Sequence, residues 1–380
     1  MNKVLIFSSF GGGGHTAVAN ALKEYLADTH TVVINNIFSE SLGGIDPIEK
    51  VTFGHRSGED FYNYCMRRKW YNFINIYYKI GATYFGWRKK QVRNLLRNYI
   101  QQQKPDFIIS VIVIVNNDLL AVAQELGIPF LLVPTDLDIT TFLAGIKSPT
   151  YSRFKIALGF EDHEARIRLA QGQIPLEKTA VTGFTIRPDF FEEKNKSEIK
   201  KEFSIPENKP VVLLLLGAVG LESLFTFTQE LSKIETQAHI IICTATQEAL
   251  RKKIDLMDFP SHLSKTTVGF TDRISDLMAI ADLFITKSGS VSVCEALYMN
   301  LPLILDATTS LLTWERANHR FIERHEVGIS LKELRLLSPL VSDLLRNPEK
   351  LTTYRKNLLA LDKKHGGNEI KKLITTMLQS

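Results

Sequence analysis

Twice along this chain an uninterrupted apolar stretch runs straight into a glycine-bearing turn and then a helical pattern. Residues 3–9 are a strand, followed at once by Gly11, Gly12, Gly13, Gly14 and His15. The next segment, AVANALKEYL, is apolar at helical spacing through Ala17, Leu22 and Tyr25. In the second half, residues 211–216 lead into Gly217, Ala218, Val219 and Gly220, with a helix expected from Leu221. A strand that is apolar at every position is covered on both faces, which is the habit of parallel sheets flanked by helices. IISVIVIV near Ile109 reads as a further buried strand of this kind, like VVLLLLGAVGL from Val211. The chain is therefore an α/β protein, and its 380 residues are enough for two such domains.

The same runs exclude other classes. None approaches the roughly 20 apolar residues that a membrane-spanning helix needs. The first apolar run has four residues, too few for a signal peptide, so a cytoplasmic protein is expected. Cys65, Cys243 and Cys294 are odd in number and scattered, without the paired spacing of a disulfide framework or a zinc site. They read as buried thiols in a reducing compartment. Asp136 and Asp138 form an Asp-x-Asp pair that could hold a divalent ion with a diphosphate, but the spacing is too common to carry that assignment.

Residues 282–302, DLFITKSGSVSVCEALYMNLP, read as strand, turn and helix. Gly289 is expected to permit a tight turn, and Ser288 or Ser290 to cap a helix beginning near Val291. The free N–H groups at that helix start suit a phosphate. Glu295, one turn further in, could accept hydrogen bonds from two neighbouring hydroxyls, which together describes a ribonucleotide site. In the first half the four glycines do not have the spacing of a dinucleotide fingerprint, and the strand TVVINNI ends without a ribose-binding acid. There the glycines suit close approach of a substrate. His15, at a helix start that favours a neutral imidazole, either closes the turn or acts as a base.

Net charge is only +5, yet residues 61–104 contain no acidic side chain at all. Arg67, Arg68, Lys69, Arg88, Lys89 and Lys90 lie there among aromatic residues that include Trp70 and Trp87. A basic, tryptophan- and tyrosine-rich helical segment fits an anionic membrane surface. Nucleic-acid stacking and an ordinary helix pair with a solvated face are the alternatives.

Several motifs, in this order and spacing, carry a family resemblance: FSSFGGGGHTAVANAL, KPDFIISV, IPFLLVPTDL, TAVTGFTIRPDF, KPVVLLLLGAVG, VGFTDRISDLMAIADLFITKSGSVSVCEALYMNLPLIL and WERAN. The chain resembles the monogalactosyldiacylglycerol synthases and processive diacylglycerol glucosyltransferases, and more distantly the peptidoglycan glycosyltransferase MurG. The resemblance implies a GT-B fold, two Rossmann-like domains whose parallel sheets face an interdomain cleft. It implies an N-terminal acceptor and membrane-associating domain over residues 1–188 and a UDP-sugar domain over 189–345. A helical segment, 346–380, is expected to pack back towards the first domain.

The implied activity is inverting transfer of a hexose from UDP-glucose or UDP-galactose to diacylglycerol or a similar lipid. No metal or other cofactor and no nucleic acid is expected. The enzyme would sit peripherally on the inner face of the membrane. His15 resembles the family's catalytic base and Gly12, Gly13 and Gly14 its acceptor loop. Gly217, Ala218, Ser288, Gly289, Ser290 and Glu295 resemble the nucleotide contacts, and Glu315 and Asn318 the donor-sugar contacts. Trp314 departs from the pattern, because the family usually has Gln there, so the resemblance leaves the sugar open. A UDP-sugar epimerase and a non-catalytic nucleotide- or lipid-binding homologue are the alternatives.

Overall fold

A computed structural model describes residues 1–11 and 13–379, and for residues 218–222 the backbone alone. The chain divides into two compact units. The first takes Met1–Pro188, Leu312–Trp314 and the chain from Asp362 on, and the second takes Asp189–Leu311 and Glu315–Leu361.

The first unit is built on a six-stranded sheet. Its strands are β1 (Asn2–Ser8), β2 (His30–Asn36), β3 (Phe107–Ser110), β4 (Phe130–Leu132), β5 (Phe154–Leu158) and β6 (Thr179–Val181). They lie parallel in the order β2-β1-β3-β4-β5-β6, with Val4 opposite both Val32 and Phe107. Val4, Leu5, Ile6 and Phe7 are all fully buried, as a strand covered on both faces requires. Sheet order reverses between β1 and β3, and ligands of open α/β sheets bind at the carboxyl ends of strands at such a point.

The long apolar run after Phe107 is not one strand. β3 ends at Ser110, and Ile114 and Val115 turn the chain with φ of 46° and 54°. Left-handed geometry at two β-branched residues costs of order 1–3 kcal/mol each. A buried network holds it in place. The Ser110 hydroxyl donates to Asn116 Oδ1 at 2.6 Å, and Asn116 Nδ2 donates to the carbonyls of Ile112 (2.8 Å) and Phe142 (3.0 Å).

The helix Gly14–Leu26 starts from Gly13, whose φ of 83° explains a glycine there. Its buried face runs through Val18, Ala19, Ala21, Leu22 and Leu26, rotated by one residue from the expected one. Ala17 and Tyr25 are only partly buried. Tyr25 instead meets the last helix, Gly366–Gln379, which packs on Gly14–Leu26 through Gly367. Lys371 and Asp28 pair at 2.6 Å across that contact.

The second unit has strands β7 (Val211–Leu215), β8 (Ala238–Ala245), β9 (Leu263–Gly269), β10 (Leu283–Thr286), β11 (Leu303–Asp306) and β12 (Gly328–Leu331). Their order is β12-β11-β10-β7-β8-β9, all parallel. Read from β9, this is the 3-2-1-4-5-6 order of the dinucleotide-binding fold, with its switch point between β7 and β10. The apolar run from Val211 again splits. The strand stops at Leu215 and the helix Gly217–Leu231 takes the remainder, four residues earlier than the expected start at Leu221. No helix among the described residues is long and apolar enough to cross a membrane.

Candidate active site

His15 stands in the first turn of its helix, at the switch point of the first sheet. Its Nδ1 lies 2.7 Å from the carbonyl oxygen of Val111, the residue that follows β3. A carbonyl can only accept, so Nδ1 carries the proton and Nε2 keeps its lone pair. The Thr135 hydroxyl, 3.0 Å from the same nitrogen, supports that orientation. Burial lowers the imidazole pKa, against the opposing pull of the Val111 carbonyl and of the Glu59 charge. The product is a neutral base at physiological pH with one ring nitrogen to offer.

That ring forms part of the wall of a cavity of about 310 Å³ inside the first unit. Phe38, Tyr84, Phe85, Val113, Ile114 and Trp314 are among its walls, so the lining is mainly apolar. Tyr77 and Tyr78 also line it, and burial holds both phenols protonated, with pKa values pushed up to about 12. The Asp46 carboxylate closes one end. Its Oδ1 caps the helix Pro47–Val51, and its Oδ2 accepts from the Gly58 N–H at 2.6 Å. Glu59, also in the wall, ties β1 to β2 by accepting from the Phe10 N–H (2.8 Å) and from Asn36 Nδ2 (2.9 Å). A chamber with such walls suits an apolar molecule, and His15 lies among its lining residues.

The second unit has its own constellation at its own switch point. The turn after β10 leads into the helix Ser290–Tyr298. Neither serine caps it. The N-cap is Gly289, with no side-chain cap hydrogen bond, and the expected glycine requirement is absent too. Gly289 has φ of −67°, and a Cβ there would meet nothing within 4 Å. The serines are engaged on their inner side. Ser288 Oγ lies 2.6 Å from His319 Nε2, and Ser290 Oγ lies 3.0 Å from Asn318 Nδ2. His319 reaches on to Ser330 of β12 through Nδ1 at 2.8 Å, and burial lowers its pKa. The N-cap glycine itself offers this helix no side-chain cap, and a helix start is a place suited to a phosphate. Glu295 is buried one turn along.

The other residues singled out above fall as follows. Gly12 and the Ala218 side chain lie outside the described residues. Gly13 and Gly14 form the start of the His15 helix, and Gly217, with φ of 63°, starts the helix after β7. Glu315 is the N-cap position of the helix Arg316–Arg324. Asn318 is fully buried, and its Nδ2 also donates to the Ser288 carbonyl at 2.6 Å. Its amide thereby braces the turn. Arg67, Arg68, Trp70, Trp87, Arg88, Lys89 and Lys90 are exposed and Lys69 is partly so. Asp138 accepts from the Thr140 N–H at 2.9 Å, a local turn bond.

Sequence reasoning missed Glu59, Thr135, Val111 and the inward tyrosines. Thr135 stands in the quoted motif IPFLLVPTDL and Glu59 just ahead of the acid-free segment. Tyr77 and Tyr84 are seven apart, a helix-face signal within what reads as a surface segment.

The fold defines the class, a GT-B-type glycosyltransferase architecture, with a histidine beside a mainly apolar cavity in one α/β unit and a helix start at the sheet's switch point in the other. Residues 211–374 match the glycosyltransferase family 28 C-terminal domain. The chain is 25% identical to the processive diacylglycerol beta-glucosyltransferase of Bacillus pumilus (strain SAFR-032), over 97% of this chain and 93% of that protein. MurG of Acinetobacter baumannii superposes with a TM-score of 0.63 at 14% identity, covering 99% of this chain and 100% of the other. The Streptomyces sp. SF2575 glycosyltransferase SsfS6, in complex with thymidine diphosphate, superposes with a TM-score of 0.56 at 14% identity, with 99% and 100% coverage.

Proposed function

We propose that the chain is an inverting glycosyltransferase that moves a hexose from a UDP-sugar to a lipid hydroxyl, with diacylglycerol as acceptor and a monoglycosyl diacylglycerol as product. The observation that carries this reading is His15, whose Nδ1 is held by the Val111 carbonyl and which lines a mainly apolar, aromatic-walled cavity. The name of the Bacillus relative and the nucleoside diphosphate on SsfS6 support the lipid and nucleotide parts respectively.

The step is a single displacement. His15 Nε2 takes the proton of the acceptor hydroxyl as that oxygen bonds to the anomeric carbon. The bond from that carbon to the β-phosphate oxygen of UDP breaks on the opposite face, UDP leaves with the electron pair, and configuration inverts. A positioned base contributes about 10²–10⁴-fold. The N–H groups and dipole at the start of the helix Ser290–Tyr298 stabilise charge on the departing diphosphate. With that stabilisation supplied by the chain, the reading includes no metal cofactor.

The reading extends to peripheral attachment at the inner, anionic face of the cytoplasmic membrane. Trp70, Phe73, Ile76, Ile80 and Trp87 are exposed on or beside the helix Tyr71–Trp87, next to the exposed Arg88, Lys89 and Lys90. Apolar rings and cations combined in this way favour an anionic interface.

The test is a panel of labelled UDP-glucose and UDP-galactose with diacylglycerol in anionic liposomes, with and without chelator. A chelator-resistant labelled glycolipid is expected, and its sugar identifies the donor. A converted free UDP-sugar with no glycolipid would assign an epimerase, and no conversion of either donor would refute turnover.

A further inference from the structure

We propose that Trp314 selects the acceptor, by fixing how much apolar chain fits beside His15. The inference rests on the reading of the first unit's cavity as the acceptor site. Leu312–Trp314 follow β11 and directly precede Glu315, a stretch that the resemblance assigns to donor contacts. These three residues nonetheless belong to the first unit. Leu312 is only 1% exposed. Thr313 is pinned twice on one acceptor, its N–H and its hydroxyl donating to Asn75 Oδ1 at 3.1 and 3.0 Å. Held there, the Trp314 indole lies 5.7 Å from the Tyr78 ring at an interplanar angle of 60°. Both rings wall the cavity that His15 lines.

The chemistry of the side chain agrees with the placement. A sugar hydroxyl is recognised by groups that donate and accept, as an amide does, whereas an indole offers one N–H and a large apolar face. Tryptophan is the largest side chain available, and the cavity it borders is only about 310 Å³. Its size therefore bears directly on which acyl chain, or how many, can enter. Asn75 is a positioning residue in this scheme, acting through Thr313 on the indole.

The test compares the intact protein with its Trp314→Ala and Trp314→Phe variants. Transfer is measured with long-chain against short-chain diacylglycerol at fixed donor, and with UDP-glucose against UDP-galactose at fixed acceptor. Trp314→Ala should raise the long-over-short ratio of kcat/KM by roughly 10-fold or more, the scale on which apolar pockets discriminate chain length. Trp314→Phe should fall between, and the donor ratio should stay within about 2-fold. A changed donor ratio with an unchanged acceptor ratio would overturn the proposal.

A binding readout keeps this independent of turnover. With Trp70→Phe and Trp87→Phe, Trp314 is the sole tryptophan of the three in the chain. Its fluorescence should be quenched by diacylglycerol carrying brominated acyl chains in detergent, and unbrominated diacylglycerol should reverse the quenching. Absence of reversible quenching would overturn the proposal even if glycolipid forms. Reversible quenching without any transfer would refute the proposed reaction and uphold the placement of Trp314.

Discussion

The Nδ1 atom of His15 stands 2.7 Å from the carbonyl oxygen of Val111. This contact decides which nitrogen is basic. Replacing His15 by Ala should lower kcat by about 10²–10⁴-fold, the usual weight of a general base. UDP affinity, measured by calorimetry, should not change. Comparable loss of UDP binding would remove His15 from the role of base.

In the proposed reaction the neutral form of His15 is the active one, and burial lowers its pKa below the ordinary 6.5. Activity should therefore persist below pH 6.5 and fall only as the pH drops through the lowered value. The negative charge of Glu59 opposes the shift. Glu59→Gln should move the acid limb of the kcat/KM profile to still lower pH. A limb moving upward would contradict this electrostatic assignment.

Asn318→Ala should weaken UDP binding and lower the stability of the second unit. It leaves the Ser288 carbonyl and Ser290 hydroxyl without the amide that now donates to them. An orphaned buried acceptor costs about 1–3 kcal/mol. Thermal denaturation and UDP titration of the same sample read both effects, and an unchanged melting temperature would show that the amide braces nothing.

Gly366 and Gly367 lie where the last helix meets the rest of the first unit. A Cβ on Gly367 would overlap the Tyr25 ring, and one on Gly366 would overlap the Phe184 backbone carbonyl. Each change to Ala should destabilise by about 1–3 kcal/mol or more in denaturant titrations. Adding Tyr25→Ala should restore part of the loss for Gly367→Ala and none for Gly366→Ala, because backbone cannot be trimmed. Equal rescue of both would contradict the geometry.

His239 on β8 sits between the hydroxyls of Ser264 (2.9 Å) and Thr266 (3.1 Å), and burial, with Lys209 and Lys200, lowers its pKa to about 4. The unfolded chain thus binds more protons than the folded one between pH 6.5 and about 4. Stability from this group is complete above 6.5 and is lost as the pH falls towards about 4. His239→Gln should flatten the stability profile in that window, as followed by urea midpoints, and an unaltered slope would assign the pH dependence elsewhere.

What was legible in the sequence is what short-range pattern encodes. The alternation of apolar runs and glycine turns marks parallel sheets, because coverage on both faces removes any polar stripe. That a helix opens directly after β10 follows from the residues of the turn alone. Other features depend on partners distant in the chain. Ile114 and Val115 leave strand geometry because Asn116 finds the Phe142 carbonyl. Ser288 and Ser290 do not cap because His319 and Asn318 hold them from behind. The hold of Asn75 on Thr313, beside Trp314, joins residues far apart in the chain and leaves no local pattern.

The division of the chain also bears on synthesis. The helix Gly366–Gln379 covers Tyr25 and the strand-end backbone at Phe184, so the unit begun first is among the last to be completed. Emerging from the ribosome, that unit lacks this cover until residues 366–379 have been made. The second unit, interrupted only by Leu312–Trp314, can close earlier. A stop codon shortly after residue 361 would therefore injure the half of the protein that had already been made.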